Sequence, residues 1–402
     1  MPWWKKPGVW WKNVGNAETR MKIALLEPFL TGSHAAWAEE YARHSRHEVK
    51  IFGLDGHSWK WRMHGGAVTL AGDFLAQDWP ADLLLASDML DLTTFLALTR
   101  NTTATTPAAI YFHENQLTYP WSPADVDPAL QRDMHYGFIN YASALAADAV
   151  LFNSDYHRRA FLAALPGFLG KFPTPNGMEG LPRIEAKSRT LALGLDLQRL
   201  ERWRPHSMSE AASDLPLILW NHRWEYDKNP EEFFQALLVL QERGIAFELA
   251  VLGESYRKVP PIFQEARARL AERIVHWGYV ESQADYAGWL WRADILPVTS
   301  IHDFFGISVV EAIYCGCLPL LPDRLAYPEH LDDSLARSCL YRDFADLVER
   351  LSAVCLDWRM LTGVDLQTQV RHYDWQYRSE EYDGFFVQLA ERGRLAGAFS
   401  GG

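Results

Sequence analysis

Short, nearly continuous apolar runs recur along the chain, each closing in polar or small residues and followed by a stretch of helix length. In the first half they are "KIALLEPF" (22–29), "EVKIFGL" (48–54), "ADLLLAS" (81–87), "AAIYFHEN" (108–115), "DAVLFNS" (148–154) and "RTLALGL" (189–195). In the second half come "LPLILWNHR" (215–223), "FELAVLGE" (247–254), "RIVHWGYV" (273–280), "ADILPVTS" (293–300) and "CLPLLPD" (317–323). Apolar on both sides, these predict strands of parallel sheets with helices on each face, and such sheets carry function at the strands' carboxyl ends. The intervening stretches are amphipathic. In "NPEEFFQALLVLQERG" (229–244), Pro230 suits a first helical turn and Gly244 a stop.

Two successive arrays of this kind predict an α/β protein of two Rossmann-like, doubly wound parallel-sheet domains, at residues 21–200 and 215–370. The polar segment "LDLQRLERWRPHSMSEAASDLP" (195–216) breaks the pattern and contains the linker, residues 201–214. Residues 1–20 read as a tail and 371–395 as a long amphipathic helix. Two such domains facing each other line a cleft with strand ends from both sides, a shape suited to a ligand in two parts. There is no GxGxxG, so a dinucleotide oxidoreductase gains no support.

Composition narrows the class. At 402 residues and 48% hydrophobic content there is material for two cores. No apolar run is long enough to span a bilayer, and "MPWWKKPGVWWKNVGNAETR" lacks the apolar stretch and cleavage site of a signal peptide. Stable membrane insertion is therefore not expected, nor is an obligate protein partner. Four cysteines, two of them as Cys315-Gly-Cys317, make no disulfide framework and no zinc spacing, so the expected compartment is a reducing cytoplasm. The net charge of −12 excludes a protein that coats nucleic acid, but leaves room for a local basic surface. Between His157 and Pro205, nine Lys/Arg oppose four acids. That stretch is either a track for a phosphate backbone or an ordinary solvated surface.

Candidate chemistry sits where the strands end. In "NHRWEYDKNP" (221–230), Arg223 and Lys228 follow one strand. A guanidinium grips two phosphate oxygens and an ammonium adds a point charge, although a loop paired to Glu225 and Asp227 reads the same way. In "HDFFGISVVEA" (302–312), Gly306 permits close backbone approach before a helix whose free amides, with Phe305 and Ile307 beside them, form a cradle for a diphosphate. Asp303 and Glu311 bracket that cradle. Glu311 can accept both hydrogen bonds of a ribose diol, and Asp303 can reach the group beyond the phosphates.

The first half offers "EPFLTGSHAAW" (27–37), a turn with Gly32, Ser33 and His34, and "YFHENQLTYPW" (111–121), where His113, Glu114, Asn115 and Gln116 cluster at a strand end. "HSWKWRMHGG" (57–66) places Trp59, Trp61 and Arg62 on a loop-like segment, either a stacking platform or a core edge strand. "SPADVDPAL" contains Asp125-x-Asp127, expected to be a helix cap.

Arg-x4-Lys after one strand, then acid-x7-Glu across a Phe-Gly helix start, resembles the donor site of retaining family 4 glycosyltransferases of the GT-B fold. The resemblance implies that Arg223 and Lys228 hold the donor diphosphate, Glu311 its ribose, and Tyr279 and Val280 edge the base. Asp303 stands where the family has Glu against the donor sugar. It also implies a C-terminal helix that crosses back onto the first domain. Together with the first-half stretches, the chain from Met21 resembles a narrower group, the tRNA-queuosine mannosyltransferases. That implies GDP-mannose as donor and queuosine in the anticodon of tRNA-Asp as acceptor, with no metal required. His113 and Glu114 would then lie near the sugar, and Trp59, Trp61 and Arg62 near the acceptor. Rival readings are a family 4 enzyme acting on a lipid or polysaccharide, a GT-B sugar epimerase, and a non-catalytic nucleotide-sugar or RNA-binding protein.

Overall fold

The computed structural model describes residues 20–121, 125, 127, 129, 133–205, 213–254, 259–358 and 365–399. The Trp/Lys-rich tail lies outside the described residues.

Six strands form each of two parallel sheets. The first holds β1 (Lys22–Leu30), β2 (Glu48–Asp55), β3 (Leu83–Ser87), β4 (Ala108–Phe112), β5 (Ala149–Phe152) and β6 (Ser188–Thr190), in the order β2-β1-β3-β4-β5-β6. The second holds β7 (Leu217–Trp220), β8 (Glu248–Val251), β9 (Ile274–Trp277), β10 (Ile295–Pro297), β11 (Leu318–Pro322) and β12 (Leu340–Tyr341), in the order β12-β11-β10-β7-β8-β9. Every apolar run named above contributes a strand. β12, two residues long, is the one that the pattern does not announce. The central strands are buried on both faces, as in β3, β4 and β5, where every residue is buried. That is why they read as continuous apolar runs.

Strand order reverses between β1 and β3 in one sheet and between β7 and β10 in the other. At such a reversal the connections leave in opposite directions and open a crevice at the carboxyl edge. The loops after β1, β7 and β10 are the ones the sequence marks as candidates.

One expectation is corrected here. Trp59–Arg62 is not a loop but the first turn of an 18-residue helix, α2 (Trp59–Ala76), entered through Ser58 in a left-handed conformation. Its buried side is Met63, Gly66, Ala67, Leu70, Ala71 and Phe74, a helical period. Gly66 is needed for that packing, because an added Cβ would lie 2.7 Å from Pro28 Cβ.

The chain passes between the domains twice. After β6 it reaches Leu195, which forms a parallel bridge with Asp374 on the return: Leu195 N–H donates to Tyr373 O at 2.9 Å, and Trp375 N–H to Leu195 O at 3.0 Å. The Asp374 carboxylate also caps the amides of Leu197 and Gln198. The helix Trp375–Phe399 then packs on the first domain against the helix α1 (Gly32–His44). Its Asp383, buried, accepts from Tyr41 Oη at 2.9 Å, Ser45 Oγ at 2.6 Å and Arg46 N at 2.9 Å. Removing that carboxylate leaves the buried Tyr41 hydroxyl without its acceptor. Asp383→Ala should therefore lower unfolding stability by about 3 kcal/mol, measured by denaturant titration. Asp383→Asn should recover part of the loss, and an unchanged midpoint would mean that the aromatic packing alone holds the helix.

Candidate active site

Two loops of the second domain meet over its crevice. After β7, Asn221 and His222 run into Arg223, and a short turn at Tyr226–Lys228 brings Lys228 inward. Gly253, after β8, makes this path possible. It has φ +100°, and an added Cβ would stand 2.0 Å from His222 O. After β10, Gly306 (φ +92°) opens the helix Ile307–Tyr314, and Asn221 and His222 tie down its first turn through Ser308.

Lys228 Nζ lies 3.2 Å from Asp303 Oδ2 and 3.3 Å from Asp227 Oδ2, and donates to His302 O. Burial works against its charge, but Asp303 and Asp227 outweigh it and raise the lysine pKa. Burial would push Asp303 up, yet Lys228 and His222 hold it below the usual carboxylate range. Asp303 also accepts from Tyr327 Oη at 3.2 Å. Its carboxylate is thus largely taken up in fixing Lys228, a role the sequence reading did not give it. Burial, with Lys228 nearby, pushes His222 down to about 3. Burial pushes His302 down to about 4, so neither imidazole competes with the two cations. Arg223 sits 3.1 Å from Glu225 Oε2 and is held charged by Glu225, Tyr119 and Asp227 against its burial.

Glu311 is buried one turn into the helix after Gly306. Arg199, from the first crossing between domains, donates to its Oε1, and Tyr286 Oη donates to Oε2 at 2.8 Å. A carboxylate has about four lone-pair sites, so two remain for a diol. Neither Arg199 nor Tyr286 is visible from local spacing.

The first domain supplies the opposite wall. Glu27 on β1 is fully buried, and its Oε2 lies 2.9 Å from His34 Nδ1 on α1. Burial opposes the His34 charge, but Glu27 overcomes it and lifts the imidazole to about 9. His113 follows β4. Its N–H donates to Asp88 Oδ1 at 2.8 Å, and its ring stands 4.4 Å from His34 and 4.6 Å from Trp37. Burial and the charged His34 keep His113 neutral, with Nε2 unpartnered. Glu114 accepts from Gln116 at 3.0 Å and is pushed up by burial. Among the described residues, Glu27, His34 and His113 form the one group able to hold a metal ion.

The raised His34 has a testable consequence. Its folded value of about 9 exceeds the ordinary 6.5, so its contribution to stability is complete below about pH 6.5 and is lost as pH rises through 9. Melting temperature should fall across that window in the wild type. It should stay nearly flat in His34→Gln, and parallel profiles would exclude the pair as the cause.

These walls enclose two connected cavities. One, about 330 Å³, is lined by His113, Asn153, Lys228, Asp303, Gly306 and Glu311, with Phe305 and Ile307 among its other walls. The second, about 1290 Å³, is lined by Gly32, His34, Trp59, Gln116, Trp121 and Tyr226, among others. They share Ser33, Glu114, Tyr119 and Arg223. A group held in the first cavity can therefore meet one held in the second only at those four residues.

Scanning the chain against protein families matches residues 22–195 to a family described as tRNA-queuosine alpha-mannosyltransferase N-terminal, and residues 202–359 to glycosyl transferases group 1. A tRNA-queuosine alpha-mannosyltransferase of Drosophila melanogaster is 35% identical over 312 residues, 76% of this chain and 81% of that protein. The chain belongs to the tRNA-queuosine alpha-mannosyltransferase family. It is a glycosyltransferase. Sucrose-phosphate synthase of Thermosynechococcus elongatus superposes with TM-score 0.65 at 15% identity, over 92% of this chain and 99% of that one. HepE of Anabaena, in complex with UDP, superposes with TM-score 0.63 at 14% identity, over 92% and 100%. These likenesses speak for the fold alone, which is GT-B.

Several residues expected at a mannosyltransferase site stand elsewhere. Tyr279 and Val280 line neither cavity: Tyr279 is exposed and Val280 packs on the core. Asn115 is fully buried, and its Oδ1 accepts from the amides of Leu117 and Thr118, so it shapes the turn that presents Glu114 and Gln116. Trp61 and Arg62 lie outside both cavities, although Trp59 lines the second. Asp125 and Asp127 cap no helix; both bind the Lys60 ammonium. The basic stretch after His157 is mostly paired internally, Arg158 and Arg159 with Asp155, Arg199 with Glu311, and Arg204 with Glu201. Cys315 and Cys317 are buried free thiols, in keeping with packing. Among the described residues, no helix is long and apolar enough to cross a membrane.

Proposed function

We propose that this enzyme transfers mannose from GDP-mannose, with retention of configuration, to a hydroxyl of the queuosine cyclopentenediol in the anticodon of tRNA-Asp. The observation that carries this reading is the meeting of two cavities at Ser33, Glu114, Tyr119 and Arg223, one of them walled by paired cations and a helix start. The first cavity takes the nucleotide sugar: Arg223, Lys228 and the amides after Gly306 face the diphosphate, and the lone pairs of Glu311 left by Arg199 and Tyr286 face the ribose. The second takes the acceptor.

In the step itself the anomeric C–O bond to the diphosphate breaks as the acceptor oxygen bonds to the same face of that carbon. The acceptor's proton passes to the departing phosphate oxygen. Charge grows on the leaving group, where Arg223 and Lys228 are already fixed by their neighbours and need no rearrangement. Neutral His113 can donate to a sugar hydroxyl. No metal takes part, and the enzyme works in the cytoplasm.

The test is incubation with GDP-mannose and queuosine-containing tRNA in the presence of EDTA, followed by nucleoside mass spectrometry. One hexose on queuosine, absent with Arg223→Ala, is expected. Hexose formed only after a divalent ion is restored would overturn the metal-free scheme and direct attention to Glu27, His34 and His113. Donor bound but queuosine unmodified would overturn the acceptor.

A further inference from the structure

Helix α2 starts at the rim of the second cavity, where Gly56 and Trp59 line the wall. Two residues on, Trp61 turns outward and is 64% exposed. Burial is the ordinary fate of tryptophan in this chain: Trp37, Trp220 and Trp375 are each 2% exposed or less. Yet Trp61 is not loose. An added Cβ at Gly65, one turn along, would stand 2.6 Å from its Cζ2 and 2.7 Å from its Cε2. The indole therefore rests on the bare backbone of Gly65, one side covered by the helix and the rest open to solvent. Beside it, Arg62 Nε donates to Asp55 O at 3.0 Å, and its Nη2 lies 3.5 Å from His57 Nε2. That anchors a cation next to the open ring.

We propose that Trp61 is a stacking platform for a base of the acceptor RNA adjacent to the nucleotide whose side chain enters the second cavity. The inference rests on the acceptor reading above. Every base has a π-face, so an indole binds without demanding a sequence, and bases of a loop are free to be splayed onto it. A ring held in place in advance loses little freedom on binding. Arg62 offers positive charge to the backbone that must pass close by. The occupant is RNA and not protein because Trp61 stands two residues from the cavity wall that the acceptor must reach. A protein partner would instead cover the whole outer face of α2, including Val68 and Leu75, which are 57% and 44% exposed.

The experiment compares wild type, Trp61→Ala, Trp61→Phe and Gly65→Ala in binding a queuosine-containing anticodon stem-loop, by fluorescence anisotropy at several salt concentrations. GDP-mannose binding by calorimetry and size-exclusion chromatography run alongside. Trp61→Ala should raise Kd for the RNA roughly 5- to 150-fold, with donor binding and the slope of log Kd against log salt unchanged, because no phosphate contact is lost. Trp61→Phe should keep most of the affinity. Gly65→Ala should weaken RNA binding while raising the melting temperature, since alanine is the better helix former and its methyl displaces the indole. Unfolding cannot produce that combination. Wild-type affinity in both Trp61→Ala and Gly65→Ala overturns the platform, as does a change of oligomeric state in Trp61→Ala with RNA affinity intact. Failure of the wild type to bind this RNA overturns the acceptor reading itself, and the platform with it.

Discussion

Lys228→Ala should lower kcat by roughly 10²- to 10³-fold, the usual cost of removing one preorganised group from a site where charge develops. The expectation rests on what the lysine leaves behind as much as on what it supplies. Its ammonium lies between Asp303 and Asp227, both buried. Without it, two carboxylates face the leaving diphosphate with nothing between. The substitution thus replaces attraction by repulsion, and KM for the donor should rise as well. Lys228→Arg should not rescue, because the slot is closed around a compact ammonium by the His302 carbonyl and two carboxylates. Initial rates of hexose incorporation, with circular dichroism to confirm folding, decide it. A loss under tenfold would reduce Lys228 to a structural partner of Asp303.

Gly253→Ala should be the most damaging small substitution in the second domain. A left-handed residue other than glycine costs about 1–2 kcal/mol, and the new methyl would also stand 2.0 Å from His222 O and 2.8 Å from His222 C. Those are backbone atoms with no rotamer to yield, so the total should reach about 3 kcal/mol or more. What gives way is the loop carrying His222 and Arg223. Misplacement of a binding group by about 1 Å can cost 10²-fold in rate, so activity should fall further than stability alone explains. Thermal melts and donor calorimetry measure the two effects separately. Wild-type behaviour in both would mean that the loop takes another path.

The strands were legible because burial on both faces writes itself as unbroken apolar runs, which flanking turns delimit. Only β12 escaped, being two residues long. Helix α2 was misread because "WKWR" alternates like a strand and Gly65-Gly66 looks like its stop. Both glycines in fact serve close packing, one under Trp61 and the other against Pro28. At the site, what sequence spacing revealed were groups set by a single loop or helix start: Arg223 with Lys228, Gly306 with Glu311, His113 with Glu114. What it could not reveal were partners brought in by topology. Arg199 and Tyr286 reach Glu311 from 112 and 25 residues away. Asp88 meets His113 only because β3 lies beside β4. Tyr119 matters because it stands where the two cavities join.

The stitching of Leu195 to Asp374 bears on how so large a substrate gains entry. Two chain crossings bound side by side form a pin hinge and not a ball joint: the domains can swing about that line but cannot slide or twist apart. Leu193, two residues from the bridge, lines the first cavity, whereas no residue of that segment lines the second. A few degrees of swing therefore part the outer, acceptor side much more than the nucleotide side. The enzyme can admit a folded RNA loop while its hold on the donor scarcely changes.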